Sequence, residues 1–262
     1  MSVDHFLSTH PALVFVKVTD AKGSTPREAG AYMLVAPAAV YATIGGGHLE
    51  FLAIDKARAM LAAGEASATL DIPLGPEIGQ CCGGRVVLAL TSLDAQARAD
   101  LLAREEAARE LRPEIHLYGA GHVGLALAAA LAPLPFNVTL IDTRAHIDGH
   151  LPEGIAFRRV AMPEAEIARL GEGGAAVILT HDHALDFLIA KQALARPDLR
   201  YVGMIGSATK RATFSRWLIR EGADAANLER LVLPIGGSAV KDKRPPVIAA
   251  MVTAELLSTL LG

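Results

Sequence analysis

The apolar positions of the chain follow two different rhythms. From Leu13 to about Thr91, short β-like runs (Leu13–Thr19, Tyr32–Val35, Val40–Ile44 and Arg85–Leu90) are separated by glycine clusters. One helical stretch interrupts them, roughly Leu49–Ala63, with Glu50, Asp55, Lys56 and Arg58 marking its wet side. This pattern predicts a small N-terminal α/β domain over residues 1–93. The next segment differs. Leu93, Ala97, Leu101, Ala108 and Leu111 fall near one helical face, and no Gly or Pro intervenes before Pro113. Residues 94–112 therefore read as a helix linking two domains.

From Glu114 onward, strand-like and helix-like segments alternate. Strands are predicted at Ile115–Tyr118, Asn137–Ile141, Ala175–Leu179 and Tyr201–Ile205, and helices at His122–Ala132, Asp186–Ala195, Ala208–Glu221 and Pro246–Leu261. Such alternation implies parallel strands joined by right-handed crossovers. The expected fold class is thus α/β: the small N-terminal domain followed, over 113–262, by a Rossmann-like domain with a mostly parallel, doubly wound sheet.

Composition adds exclusions. Of the 262 residues 52% are apolar and 20% charged, well away from the corner where chains stay disordered. A net charge of −3 argues against electrostatically driven nucleic-acid binding, which needs a basic face. Two cysteines rule out a disulfide scaffold. The N-terminal residues lack the basic n-region of a signal peptide, and the apolar run Ala12–Val16 is too short for one. The stretch Leu117–Ile141 carries no Asp, Glu, Lys or Arg and is long enough to span a bilayer. Gly119, Gly121, Gly124, Pro133, Pro135 and Asn137 punctuate it, so strand, turn, helix and strand explain it better. A cytoplasmic protein without membrane contact is expected.

Four places carry candidate chemistry. Gly119-Ala120-Gly121-His122-Val123-Gly124 is a GxGxxG at a strand-to-helix junction, with Asp142 ending the next strand. That is the spacing at which an acidic residue meets a ribose hydroxyl, so Gly119, Gly121, Gly124 and Asp142 are candidate cofactor-binding residues for NAD(P); a ribose contact by Asp142 favours NAD over NADP, and Arg144 nearby offsets that preference. The same turn also serves strand–helix packing alone. In the N-terminal domain, three glycine-rich elements stand out: Gly23–Arg27, Ile44–Glu50 and Gly79–Arg85. Each alone reads as a turn; together their backbone N–H groups with Ser24, Arg27, Gly45, Gly46, Gly47, Gln80 and Arg85 suit an anionic ligand.

The adjacent Cys81 and Cys82 sit between Gly-Gln and Gly-Gly-Arg, and a neighbouring guanidinium favours the thiolate. Sulfur transfer, soft-metal contact and redox sensing stay open for them; a structural zinc site would need about four ligands. Thr180-His181-Asp182-His183 follows an apolar strand, and a helix cap with Asp182 at its head is favoured over a metal site. Gly203–Ser207 with Lys210 and Arg211 adds another phosphate-compatible helix start at the same sheet edge.

These pieces in this order resemble the XdhC/CoxI family of molybdenum-cofactor accessory proteins. The resemblance rests on Gly23–Arg27, Gly45–Glu50, Gly79–Gly84, Gly119–Gly124, Thr180–Asp186 and Gly203–Lys210, and covers nearly the whole chain. Pro234–Gly236 and Lys243–Ala249 look most like the xanthine dehydrogenase branch, while Gly237–Asp242 matches least well. The resemblance implies a chaperone without turnover chemistry of its own. Such a protein binds molybdenum cofactor (molybdopterin), supports its sulfuration with a cysteine desulfurase and delivers it to apo-xanthine dehydrogenase. Cys81 and Cys82 would then be candidate contacts to the molybdenum or its incoming sulfur. Two rival classes are an NAD(P)-dependent oxidoreductase using the Rossmann-like half, and a scaffold that binds only protein partners. Self-association as a homodimer is left open.

Overall fold

The computed structural model describes residues 2–75, 83–144, 147 and 150–262. The chain divides into two compact units, Met1–Ala107 and Ala108–Gly262, so the boundary falls inside a helix.

The first unit is built on a five-stranded antiparallel sheet of order β3-β2-β1-β5-β4. Its strands are β1 (Val14–Lys22), β2 (Tyr32–Val35), β3 (Val40–Ala42), β4 (Ser67–Pro73) and β5 (Arg85–Ser92). Alternation along β1 sends Val14, Val16 and Val18 to one face, where Leu49, Ala53, Ala57 and Met60 of helix α2 (Gly47–Ala63) cover them. Phe15 and Leu34 point to the opposite face, against Phe6 and Leu7 of α1 (Val3–Thr9) and Leu101 of α3 (Ala95–Glu110). Two elements of this unit escape periodicity. Strand β4 has the pattern S-A-T-L-D-I-P, with only Ile72 buried, so it lacks the apolar signal that marked its neighbours. Helix α1 has seven residues, too few for a stripe, but Ser2 caps it by accepting the His5 N–H.

The second unit carries a six-stranded, wholly parallel sheet of order β11-β10-β9-β6-β7-β8. The strands are β6 (Glu114–Tyr118), β7 (Asn137–Asp142), β8 (Ala156–Arg159), β9 (Ala175–Ile178), β10 (Tyr201–Met204) and β11 (Leu231–Val232). Helices α4 (His122–Leu131) and α7 (Pro245–Leu260) pack on one face through Leu127, Leu131, Val252 and Leu256. Helices α5 (His183–Leu194) and α6 (Ala208–Arg220) cover the other through Phe187, Ile189, Phe214 and Leu218. The sheet is therefore doubly wound, as the alternation predicts. Numbered from β6 the spatial order is 3-2-1-4-5-6, which reverses between β6 and β9; ligands of such sheets sit at that reversal, beyond the carboxyl ends of the strands.

The charge-free stretch resolves into β6, α4 and β7. Among the described residues no helix is long and apolar enough to cross a membrane.

Candidate functional site

The second unit holds a cleft of about 260 Å³ at the reversal point. Its lining comes from the turn after β6 (Gly119–His122), from Arg144 beyond β7, and from Leu179, Thr180 and His181 beyond β9, with Leu125 behind. The three motif glycines have different jobs. A Cβ on Gly124 would lie 1.9 Å from the Gly119 carbonyl oxygen, and one on Gly119 would lie 2.7 Å from the Leu179 oxygen. These two glycines close the protein on itself. Among the described residues Gly121 meets nothing within 4 Å, and its φ of −80° suits any residue, so neither packing nor backbone conformation among them accounts for this glycine.

Asp142 is placed where the sequence puts it, but its carboxylate turns inward. It is 6% exposed. Its Oδ2 accepts from the Ala120 N–H (2.6 Å) and Arg144 Nη2 (2.8 Å), and its Oδ1 from Arg144 N (2.8 Å) and Nε (3.0 Å). Burial would raise its pKa, but the hydrogen bonds from Arg144 and Ala120 and the guanidinium charge outweigh that and hold it down to about 2. A carboxylate has about four lone-pair sites, and here each has a donor. Asp142 ties the glycine turn to the end of β7, and Arg144 is a charged group on the cleft wall.

The opposite wall is held by a pair the sequence reading did not join. Asp186, fully buried, accepts from Thr180 N (3.2 Å), lies 2.6 Å from Thr180 Oγ1, and is paired with Lys210, whose ammonium also donates to the Ile205 carbonyl (2.9 Å). Lys210 is thus engaged with Asp186 instead of facing a ligand. Its stem occupies the space that Gly206 leaves, since a Cβ there would sit 2.6 Å from Lys210 Cδ. The signal was an acidic residue inside an apolar helical run, matched by a basic one in the next helix at the same sheet edge. Asp182 caps α5, accepting from Ala184 N (2.8 Å) and Leu185 N (3.3 Å), and that helix begins at His183 rather than Asp186. No cluster of metal-ligating side chains occurs among the described residues.

In the first unit the glycine-rich elements come together. Gly45, Gly46 and Gly47 have φ of 125°, 76° and 67°, three successive left-handed positions that L side chains resist. A Cβ on Gly45 would lie 2.6 Å from Pro26 Cβ and 3.5 Å from Arg27 Cγ, so Gly23–Arg27 packs directly on this turn. On its other flank Ser24 bridges Gly83, and a Cβ on Gly84 would strike the Ser24 oxygen at 2.3 Å. Glu50 holds the turn from inside, accepting from Ile44 N (2.9 Å) and from the Thr43 hydroxyl. The N-cap of α2, Gly46, offers no side chain to its free N–H groups, and its Cα faces open space. Arg27 is exposed and has no hydrogen bond or ion pair among the described residues. Open backbone donors beside an unpaired guanidinium fit a phosphate-bearing group.

Arg85 stands apart from this cluster's polar groups. Its guanidinium forms a bidentate pair with Asp71 across β4 and β5 (2.7 and 2.5 Å) on exposed surface. Gln80, Cys81 and Cys82 lie outside the described residues.

A 3-2-1-4-5-6 sheet with a glycine turn and a cleft at its reversal defines a Rossmann-type domain, here preceded by a glycine-rich α/β unit. The chain belongs to the XdhC and CoxI family: residues 115–256 match the XdhC Rossmann domain, and residues 7–73 match the XdhC and CoxI family. Among curated proteins it is 24% identical over 253 residues to the uncharacterized protein YqeB of Escherichia coli (strain K12). That alignment covers 92% of this chain but 42% of YqeB, so the chain spans less than half the length of this relative. Among solved structures it resembles a Bacillus halodurans protein described as a xanthine dehydrogenase, at TM-score 0.79 and 18% identity, covering 100% of this chain and 96% of that one. At that identity the likeness shows the fold.

Proposed function

We propose that the protein is an accessory factor in xanthine dehydrogenase maturation that binds molybdenum cofactor, supports its sulfuration and delivers it to the apo-enzyme. Membership of the XdhC and CoxI family supports the role in maturation. The observation that carries the cofactor reading is the convergence of Ser24, Pro26 and Arg27 on Gly45–Gly47 and Gly83–Gly84, beside an uncapped helix start. The cofactor is cargo here: a pterin with a phosphate, a dithiolene and a molybdenum centre. Gly46 and Gly47 N–H groups and Arg27 would hold its phosphate. Cys81 and Cys82, which directly precede Gly83–Gly84 in the sequence, are the candidate contacts to its soft metal or to the sulfur passed on by a cysteine desulfurase.

The test is activation of purified apo-xanthine dehydrogenase by this protein loaded with cofactor, with a cysteine desulfurase and cysteine present. Activation should need this protein, and Cys81→Ala and Cys82→Ala should differ in severity, at least one losing activation while the fold survives. Full activation by the double alanine variant removes the cysteines from the role. Activation that is the same without this protein removes the role itself.

A second reading, an NAD(P)-dependent oxidoreductase, is favoured by the cleft at the β6/β9 reversal. It predicts hydride turnover with a bound nicotinamide cofactor, which the accessory reading does not require.

A further inference from the structure

The two sheets have four edge strands, β3 and β4 in the first unit and β8 and β11 in the second. An open edge offers a row of unpaired N–H and C=O groups to another strand, and monomeric proteins blunt it by shortness, charge or a covering group. Three of the four are blunted here. Strand β3 has three residues. Strand β8 has four, and two of them are Arg158 and Arg159. Strand β11 has two residues, and Arg211 donates to the carbonyls of Leu231 (3.0 Å) and Leu233 (3.2 Å) beside it. Strand β4 differs: it runs seven residues in unbroken register with β5, from Ser67 opposite Thr91 to Pro73 opposite Arg85. It carries no Lys or Arg, and its one charge, Asp71, is already paired with Arg85 of the same sheet.

The ladder also shows which backbone groups face outward. Ser92 N–H donates to the Ala66 carbonyl (2.9 Å) at one end, and Leu74 N–H to the Gly84 carbonyl (2.7 Å) at the other. With no shift of register between them, the even-numbered residues of β4 bond to β5, and the backbone groups of Ser67, Thr69 and Asp71 point away from it. Among the described residues no hydrogen bond reaches those outward groups.

We propose that β4 is the seam between two copies of this chain, pairing antiparallel with the partner's β4 about Thr69. The strand is complementary to itself in this register and in no neighbouring one. Centred on Thr69, that residue faces the partner's Thr69 and Ser67 faces the partner's Asp71, so every outward N–H of the three on each strand meets a carbonyl. Hydroxyl meets hydroxyl or carboxylate on the exposed face. On the other face Leu70 meets the partner's Ala68, and both are only half-buried in the single chain, at the rim of the core under α2. Centred on Ala68, Asp71 would face Glu65, and centred on Asp71, carboxylate would face carboxylate. Centred on Leu70, Ser67 would face Pro73, which has no N–H to give. The proposal rests on the sheet of the first unit and is independent of the cofactor reading.

Sedimentation equilibrium of the full chain, in reducing buffer so that no cysteine cross-link counts, tests it. At about 100 μM the parent should sediment at twice the mass of the single chain, as a dimer with a micromolar Kd would. Thr69→Pro removes an outward N–H that β5 does not use, so it should weaken association at least about tenfold with the far-UV circular dichroism of the parent retained. Thr69 is exposed, so charges are tolerated there in the single chain, and the seam sets each against its own copy. Thr69→Lys and Thr69→Glu alone should each weaken association at least about tenfold, and an equimolar mixture of the two should associate at least about tenfold more tightly than either alone. That mixture carries the test even if Thr69→Pro fails to fold. A parent that is monomeric at this concentration, a dimer that persists unchanged in Thr69→Lys and Thr69→Glu, or a mixture no tighter than its separate components would each overturn the proposal.

Discussion

The two glycine-rich centres look alike as strings of residues and differ in how their glycines are used. In the second unit, Gly119 and Gly124 are filled by neighbouring backbone, Asp142 is saturated, Lys210 is paired, and the opening is confined to a walled cleft beside Gly121. In the first unit, the glycines bring three loops together and leave Arg27 and the α2 N-terminus exposed. The centre of the second unit is a finished frame around a defined space; that of the first unit is an open arrangement of donors. The difference teaches that a glycine motif does not by itself distinguish packing from binding, and that what a Cβ would meet at each position does.

The largest expected effect comes from the frame. Lys210→Met leaves Asp186 buried without its cation, which costs about 3–5 kcal/mol and should appear as a large drop in the denaturant midpoint. Next comes the contrast within the turn. Gly124→Ala forces a Cβ onto the Gly119 carbonyl and should cost on the order of 3 kcal/mol, whereas Gly121→Ala should change stability by less than about 0.5 kcal/mol. Equal losses at both positions would break the distinction between filled and open glycines.

A smaller effect is pH-dependent. The Asp142 carboxyl has its pKa lowered from 3.8 to about 2 in the fold, so its contribution is present above about pH 4 and is lost as pH falls through 2. That contribution is on the order of 2 kcal/mol. The stability gap between the parent and Asp142→Asn should therefore be full at pH 5–7 and shrink toward zero near pH 2; a gap constant down to pH 2 would contradict it. The smallest effect is expected at Arg85→Ala, whose pair with Asp71 is fully on the surface and should be silent in both stability and cofactor retention.

Much of this was legible in the chain because burial writes itself into periodicity. The strands of the parallel sheet that are buried on both faces, β6, β7, β9 and β10, appear as apolar runs, and Gly119–Gly124 marks the turn between a strand and its helix. Edge strands β8 and β11 do not, since A-F-R-R is half exposed and β11 has two residues. The candidate site was legible as residue types and not as pairings. Asp142 and Lys210 have the types a ligand site wants, and only three-dimensional proximity reveals that Arg144 and Asp186 already engage them. Likewise nothing in the spacing of Arg27 and Arg85 separates the guanidinium that has no partner among the described residues from the one bound to Asp71.

As proposed, the open glycine centre of the first unit holds molybdenum cofactor, and that claim is open to direct test. The most direct measurement is the molybdenum and pterin content of the purified full chain, produced with an intact supply of the cofactor and freed of unbound material by gel filtration. The parent should carry molybdenum and pterin in about equal amounts, and Arg27→Ala should lose most of both, since removing this phosphate contact is worth about 2 kcal/mol, roughly thirtyfold in affinity. A parent that carries neither, or an Arg27→Ala variant that retains both as well as the parent does, would contradict the claim.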